Sequence, residues 1–102
     1  MKVTITEETG KFIRDFNKKT RAKIEQRLIV LETFGHMIRM PYSRYVQQGI
    51  FELRVVGKDN IRLIYTFKQD EAIVFHAFIK KTEQISAYEM SIIKHKHNCL
   101  HL

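Results

Sequence analysis

The sequence predicts a small α+β domain, in which an antiparallel sheet is covered on one face by a helical hairpin. Three observations carry this: two apolar stripes at helical spacing near the start, three consecutive strand-like segments after them, and a well-capped final helix. The predicted order is β-α-α-β-β-β-α.

Val3–Thr6 alternates apolar with β-branched polar residues, which suits a first strand. Thr6 is placed to cap a helix whose first turn holds Glu7 and Glu8, acidic groups at the positive end of the helix dipole. Phe12, Ile13 and Phe16 form its apolar stripe. Ile24, Leu28 and Leu31 form a second, supported by Val30 and Phe34 and ending before Gly35. Asn17-Lys18-Lys19-Thr20-Arg21 between them reads equally as a joint or as continuous helix. His36–Gly49 holds Pro41, Tyr42, Arg44 and Tyr45 without a sustained period, and reads as a connection.

In Gly49–Val56 the alternation sends Phe51, Leu53 and Val55 toward the helices and Glu52 and Arg54 to the opposite face. The turn Gly57-Lys58-Asp59-Asn60 leads into Ile61–Phe67 and makes a hairpin. Gln69-Asp70-Glu71 then turns the chain into Ala72–Lys81, an apolar run expected to be the most buried strand. Ser86-Ala87-Tyr88-Glu89 fits a capping box, with Ile85 and Met90 as its hydrophobic staple. That helix is expected to reach about Lys96, with the tail to Leu102 frayed at its end. One covering layer of helices leaves the opposite sheet face partly open, and chemistry is expected there.

The 102 residues suit a single domain, 1–102, and 44% apolar with 28% charged residues is a globular composition. No stretch approaches the roughly 20 apolar residues that cross a bilayer. With no secretory signal and a lone Cys99, the expected setting is the cytoplasm, without a membrane or a disulfide framework. The net charge of +7 favours a polyanionic partner, and it is unevenly placed. Residues 1–34 carry eight basic and five acidic groups, residues 35–81 eight and four, and residues 82–102 two of each.

Phosphate-binding loops, paired-cysteine motifs and nucleophile elbows are missing, which excludes the easily recognised enzyme classes. His95 and His97 point apart on a helix, so these histidines with His101 and Cys99 are not expected to hold a metal. Arg54 and Arg62 lie on neighbouring strands across a short turn, where two guanidinium groups can approach one phosphate. Lys80 and Lys81 end the next strand on alternate faces, so one of them should join the arginines. His76, the one histidine within a predicted strand, is a proton donor if it faces that cationic pocket. Tyr65, opposite in parity to Arg62, reads as core or sheet rim.

The runs Gly49-Ile50-Phe51-Glu52-Leu53-Arg54, Arg62-Leu63-Ile64-Tyr65 and His76-Ala77-Phe78-Ile79-Lys80-Lys81-Thr82, with the helix that follows, resemble the HigB-type, phage-related branch of the RelE/ParE toxin superfamily. The likeness is strong over the second half; the first half agrees in the order and length of its elements. It implies the RelE-like fold and the toxin of a type II toxin–antitoxin pair, an endoribonuclease that cuts messenger RNA, commonly on the translating ribosome. By position, Arg54 and Arg62 match basic active-site residues, Lys81 lies at the basic strand end with Lys80 nearly equivalent, and Tyr88 matches a tyrosine on the last helix. Glu52 stands where RelE has a basic residue, although Glu before Leu-Arg is typical of the HigB-type branch. Ser86 replaces a proline common at the start of the last helix.

The implied partners are a cognate antitoxin encoded nearby, often with a helix-turn-helix domain, together with messenger RNA, ribosomal RNA and the ribosome. No cofactor or metal is implied. The reaction is attack of a 2′-hydroxyl on the adjacent phosphorus, with Arg54, Arg62 and Lys81 stabilising the charged transition state and Glu52 or Tyr88 as base. Tyr88 could instead stack on a base, and Lys80, Arg44, Lys58 and His76 are further RNA-binding candidates. The alternatives are a ParE-like inhibitor of DNA gyrase without nuclease activity, and a non-catalytic RNA-binding module.

Overall fold

The computed structural model describes residues 1–101. Strand β1 (Lys2–Ile5) leads into helices α1 (Glu7–Arg14) and α2 (Lys18–Phe34) and a 3₁₀ turn (Gly35–Met37). Strands β2 (Ser43–Gln47), β3 (Ile50–Val55), β4 (Ile61–Lys68) and β5 (Glu71–Ile79) follow, and helix α3 (Ala87–Leu100) completes the chain. The strands form one five-stranded sheet in the order β1-β5-β4-β3-β2. The meander β2 to β5 is antiparallel, and β1 lies parallel beside β5. The expected α+β architecture, with α2 on one sheet face, is the one observed.

Local chemistry explains the boundaries. The Asn17 side chain accepts from the Thr20 N–H at 2.9 Å, so the polar joint between the helices is a break with a cap. Thr6 occupies the cap position of α1, but its hydroxyl donates to the Thr9 hydroxyl at 2.8 Å instead of satisfying the helix backbone. Ser86 caps α3 as expected, accepting from Glu89 N–H at 3.1 Å. That helix runs past Lys96 to Leu100. Leu102, the end of the tail expected to fray, lies outside the described residues.

Two differences from the sequence reading matter for the site. The connection His36–Gly49 contains strand β2, an edge strand bulged at Val46, because Tyr45 faces Phe51 while Gln47 faces Ile50. The bulge and the exposed edge remove the alternation by which a strand is recognised. The second difference is that α3 covers much of the face expected to be open. Ile93 packs there with Ile50, Ile64, Phe75 and Phe78, while α2 buries Ile24 and Leu31 against Leu53, Val55, Leu63, Tyr65 and Val74 on the other face.

A bulge in β5 supports that second layer. Ile64 faces His76 and Tyr65 faces Val74, leaving Phe75 as the extra residue, and both Phe75 and His76 turn toward α3. Leu63 is fully buried between the sheet and α2. Leu63→Ala should therefore lower stability by about 3 kcal/mol, seen as a reduced urea midpoint with an unchanged slope. Ile29→Ala, at an exposed α2 position, should shift it by less than about 0.5 kcal/mol.

Candidate functional site

Strand register assembles the site. Arg44 on β2 faces Glu52 on β3, and Arg54 on β3 faces Arg62 on β4. Arg62 in turn faces Phe78, and Lys80, two residues further on and just past the end of β5, turns to the same sheet face to meet Glu52. Lys80 is fixed from its backbone: its N–H donates to the Asn60 carbonyl at 3.0 Å and its carbonyl accepts from Asn60 Nδ2 at 2.8 Å. Asn60 adopts φ +51°, a left-handed conformation that asparagine tolerates, so the β3–β4 turn locks the end of β5.

At the centre is the Glu52 carboxylate, 1% exposed. One oxygen lies 3.4 Å from Arg62 Nε and the other 3.8 Å from Lys80 Nζ, with Arg62 and Lys80 themselves buried. Arg62 also donates from Nη1 to the Ile61 carbonyl at 3.2 Å. The Glu52–Arg62 contact is an ion pair without a directed hydrogen bond, because Glu52 Oε1 and Arg62 Nε have no hydrogen-bond partner. Burial lowers the proton affinity of Arg62, Glu52 opposes this, and Arg54 reinforces the lowering. The guanidinium nevertheless stays charged at neutral pH.

Arg44, Arg54, Arg62 and Lys80 thus surround one carboxylate. Directly opposed like charges such as Arg54 and Arg62 repel across a strand pair, so an anion placed between them gains from both. Beside this cluster, Arg44, Tyr45, Glu52, Lys80, Ile85 and Met90 line a cleft. Its walls come from β2, the end of β5 and the start of α3.

The structure does not gather all the candidate residues. Lys81 is solvent-exposed just beyond β5, and Lys80 is the lysine that turns inward. Tyr88 is 74% exposed on the first turn of α3. Lys58 lies in the β3–β4 turn, on the side of Lys19 and Lys23 of α2. Tyr65 is buried and shares a hydrogen bond with the Ser43 hydroxyl, as its core assignment requires. His76 is buried beneath α3, with one ring nitrogen 2.8 Å from Glu89 Oε1 and the other 3.0 Å from Lys96 Nζ.

Lys96 was not singled out in the sequence. The available signal was its seven-residue separation from Glu89, two helical turns, which puts both side chains on one face of α3. Among the described residues, no three His, Cys, Asp or Glu side chains come together as a metal site, and no helix is long and apolar enough to cross a membrane.

The chain belongs to the phage-derived Gp49-like protein family (DUF891), whose family model matches residues 11–98. No curated protein matches it in sequence. Among solved structures, the isolated E. coli RelE toxin superposes with a TM-score of 0.61 at 13% identity, covering 91% of this chain and 96% of that one. The YoeB–YefM complex from Staphylococcus aureus gives 0.58 at 18% identity, covering 76% and 93%. A heterotetrameric YoeB–YefM toxin–antitoxin complex from the same organism gives 0.55 at 18%, covering 74% and 91%. The fold is therefore RelE-like.

Removing Glu52 would leave two buried cations without their counter-charge. Glu52→Ala should destabilise the protein by about 3–5 kcal/mol, measured by urea denaturation at neutral pH.

Proposed function

We propose that this protein is the toxin of a type II toxin–antitoxin pair, of the HigB type, and that it cuts messenger RNA without a metal, the ribosome-bound message being its substrate. The observation that carries the reading is the surplus of cations around buried Glu52 on one face of a RelE-like sheet. Such a site takes a phosphodiester, and the +7 net charge draws a polyanion toward it.

Arg54 is only partly buried and Arg44 is exposed, so these two reach the scissile phosphate first. Arg62 and Lys80, held below by Glu52, supply a fixed positive field as charge builds on the phosphorane oxygens. Glu52, enclosed and flanked by both cations, serves as their counter-ion and not as the base. Lys81 and Tyr88 are exposed at the rim, where a lysine can hold a neighbouring phosphate and a tyrosine can stack on a base. The 2′-oxygen bonds to phosphorus as the bond to the 5′-oxygen breaks. The proton leaving the 2′-hydroxyl is balanced by the one the 5′-oxygen takes up, and the products are a 2′,3′-cyclic phosphate and a 5′-hydroxyl end.

The YoeB–YefM structures are complexes of a toxin with its antitoxin, which supports an antitoxin partner for this chain too. Its gene neighbour is the candidate. Induced expression should arrest growth, co-expression of the neighbour should relieve the arrest, and RNA end mapping should find new 5′-hydroxyl ends. Arrest with intact RNA would redirect the function to a ParE-like contact with gyrase. RNA binding without cleavage or arrest would leave a binding module.

Arg54→Ala should slow cleavage by roughly 100-fold or more on ribosomes programmed with message, while Lys18→Ala should leave it near wild type. Arg54 is the cleaner probe, because Arg62→Ala also strands the buried Glu52 carboxylate and so perturbs folding. Wild-type cleavage by Arg54→Ala would reject the phosphate site.

A further inference from the structure

His76 lies outside the cationic cluster, yet both of its ring nitrogens are engaged. Lys96 Nζ approaches Nδ1 at 3.0 Å, and an ammonium group can only donate, so Nδ1 accepts and carries no proton. The proton of the neutral ring is then on Nε2, which donates to Glu89 Oε1 at 2.8 Å. Lys96 also donates to Glu8 Oε1 at 2.9 Å, which extends the chain of contacts to α1. Glu89, His76, Lys96 and Glu8 thereby join α3, β5 and α1.

This chain is the directional hold on the first turn of α3, whereas the far end of the helix is tied to β4 by Thr66 with His97 and by Lys68 donating to the Leu100 carbonyl. Between them lies apolar packing centred on Ile93, which opposes separation more than it opposes sliding. The first turn of α3 matters because it borders both clefts beside Lys80. Met90 lines one with Arg44 and Glu52, and Ser86 and Glu89 line the other with Lys81.

We propose that His76 is a positioning residue whose neutral Nε2–H form pins the first turn of α3, and with it Tyr88 and one wall of the cationic clefts. The consequence for RNA rests on the nuclease reading; the consequence for the position of α3 does not.

The pin responds to acid. The charged groups facing His76 are Glu89 and Lys96 from α3 and Glu8 from α1, while β4 presents Ile64 and its own strand presents Phe78. Protonation would put a donor on Nδ1 against the Lys96 ammonium. Burial lowers the His76 pKa, the Glu89 bond opposes this, and Lys96 adds to the lowering. Between the lowered folded value and the ordinary value of about 6.5, the unfolded chain binds more protons than the folded one. The stabilisation is therefore complete above about 6.5 and is lost as pH falls through the folded value.

The test uses the full chain, with imidazole nitrogen NMR and amide hydrogen exchange from pH 8 to pH 5. The expected results are an Nε2–H tautomer at pH 7.5 and protection in the first half of α3 that falls at least tenfold toward pH 5 while β4 amides hold. His76→Gln can donate to Glu89 and accept from Lys96, and should keep that protection at both ends of the range. His76→Phe should lack it throughout and should raise the KM for RNA severalfold with kcat within about twofold. In Lys96→Met, which keeps the length of the partly buried side chain and removes its charge, His76 should titrate at higher pH. An Nδ1–H tautomer or an imidazolium at pH 7.5, pH-independent protection of α3, or an unchanged His76 titration in Lys96→Met would overturn the proposal. If His76→Phe does not fold, the Gln and Met variants decide. If wild-type protein leaves RNA intact, the nuclease reading fails while exchange and titration still judge the pin.

Discussion

Glu52 places a buried negative charge in the middle of a sheet face to which three other side chains, Arg44, Arg62 and Lys80, bring positive charge from three different strands. Without it, two of those cations would have no reason to stay out of water, since an unpaired buried charge costs several kcal/mol. With it, Arg62 and Lys80 are drawn inward and held while Arg54 and Arg44 are left to face outward. The pair distances of 3.4 and 3.8 Å are loose for ion pairs in such a dry place. The carboxylate therefore offsets charge without consuming every donor of its neighbours, and the face stays electropositive. Apolar residues in place of a buried ionic arrangement are often neutral or stabilising, so stability alone does not account for these cations.

The second organising feature is the division of this face between α3 and the cluster. The extra residue Phe75 lets β5 present both Phe75 and His76 to α3, and beyond Phe78 the same strand delivers Lys80 to Glu52. One strand thus serves the helix with its middle and the cationic site with its end. Glu89 shows the same economy: its backbone N–H donates to the capping Ser86 hydroxyl while its carboxylate is turned to His76. A capping box would send that carboxylate back to the helix start, so a local bond is exchanged for one that ties two elements together.

Much of this was legible in the sequence because it depends on alternation and on local caps. The parity of Phe51, Leu53 and Val55 against Glu52 and Arg54 is a property of any strand, and it correctly separates core from charge in β3. The Ser86 cap rests on a side chain that satisfies a nearby backbone group, whereas the break at Asn17, left open in the sequence against continuous helix, is decided by the same kind of bond in the fold. Strand β2 was hidden because an edge strand with a bulge at Val46 needs little apolar patterning. The choice between Lys80 and Lys81 depended on which face the end of β5 presents, and the bulge at Phe75 shifts the phase of that strand. The burial of His76 under α3 was out of reach for a related reason. Nothing local says where a helix beginning at residue 87 will lie, and its position is decided by Ile93 meeting residues from three strands.

Strand β1 has a consequence for how the chain is made. Its partner is β5, with Lys2 beside Glu71 and Ile5 beside Val74, so most of the chain must be synthesised before the two can meet. The hairpins β2–β3, β3–β4 and β4–β5 close over short turns and can form in sequence as they leave the ribosome. Residues 2–5 emerge before the other four strands yet are the strand that must wait. Until they dock, through Thr6 N–H to the Val74 carbonyl at 3.0 Å and the parallel ladder, β5 has a bare edge that another chain could pair with. A nascent copy is thus most exposed to mispairing at the strand that ends in Lys80, and completion of the sheet and of the cationic face become nearly the same late event.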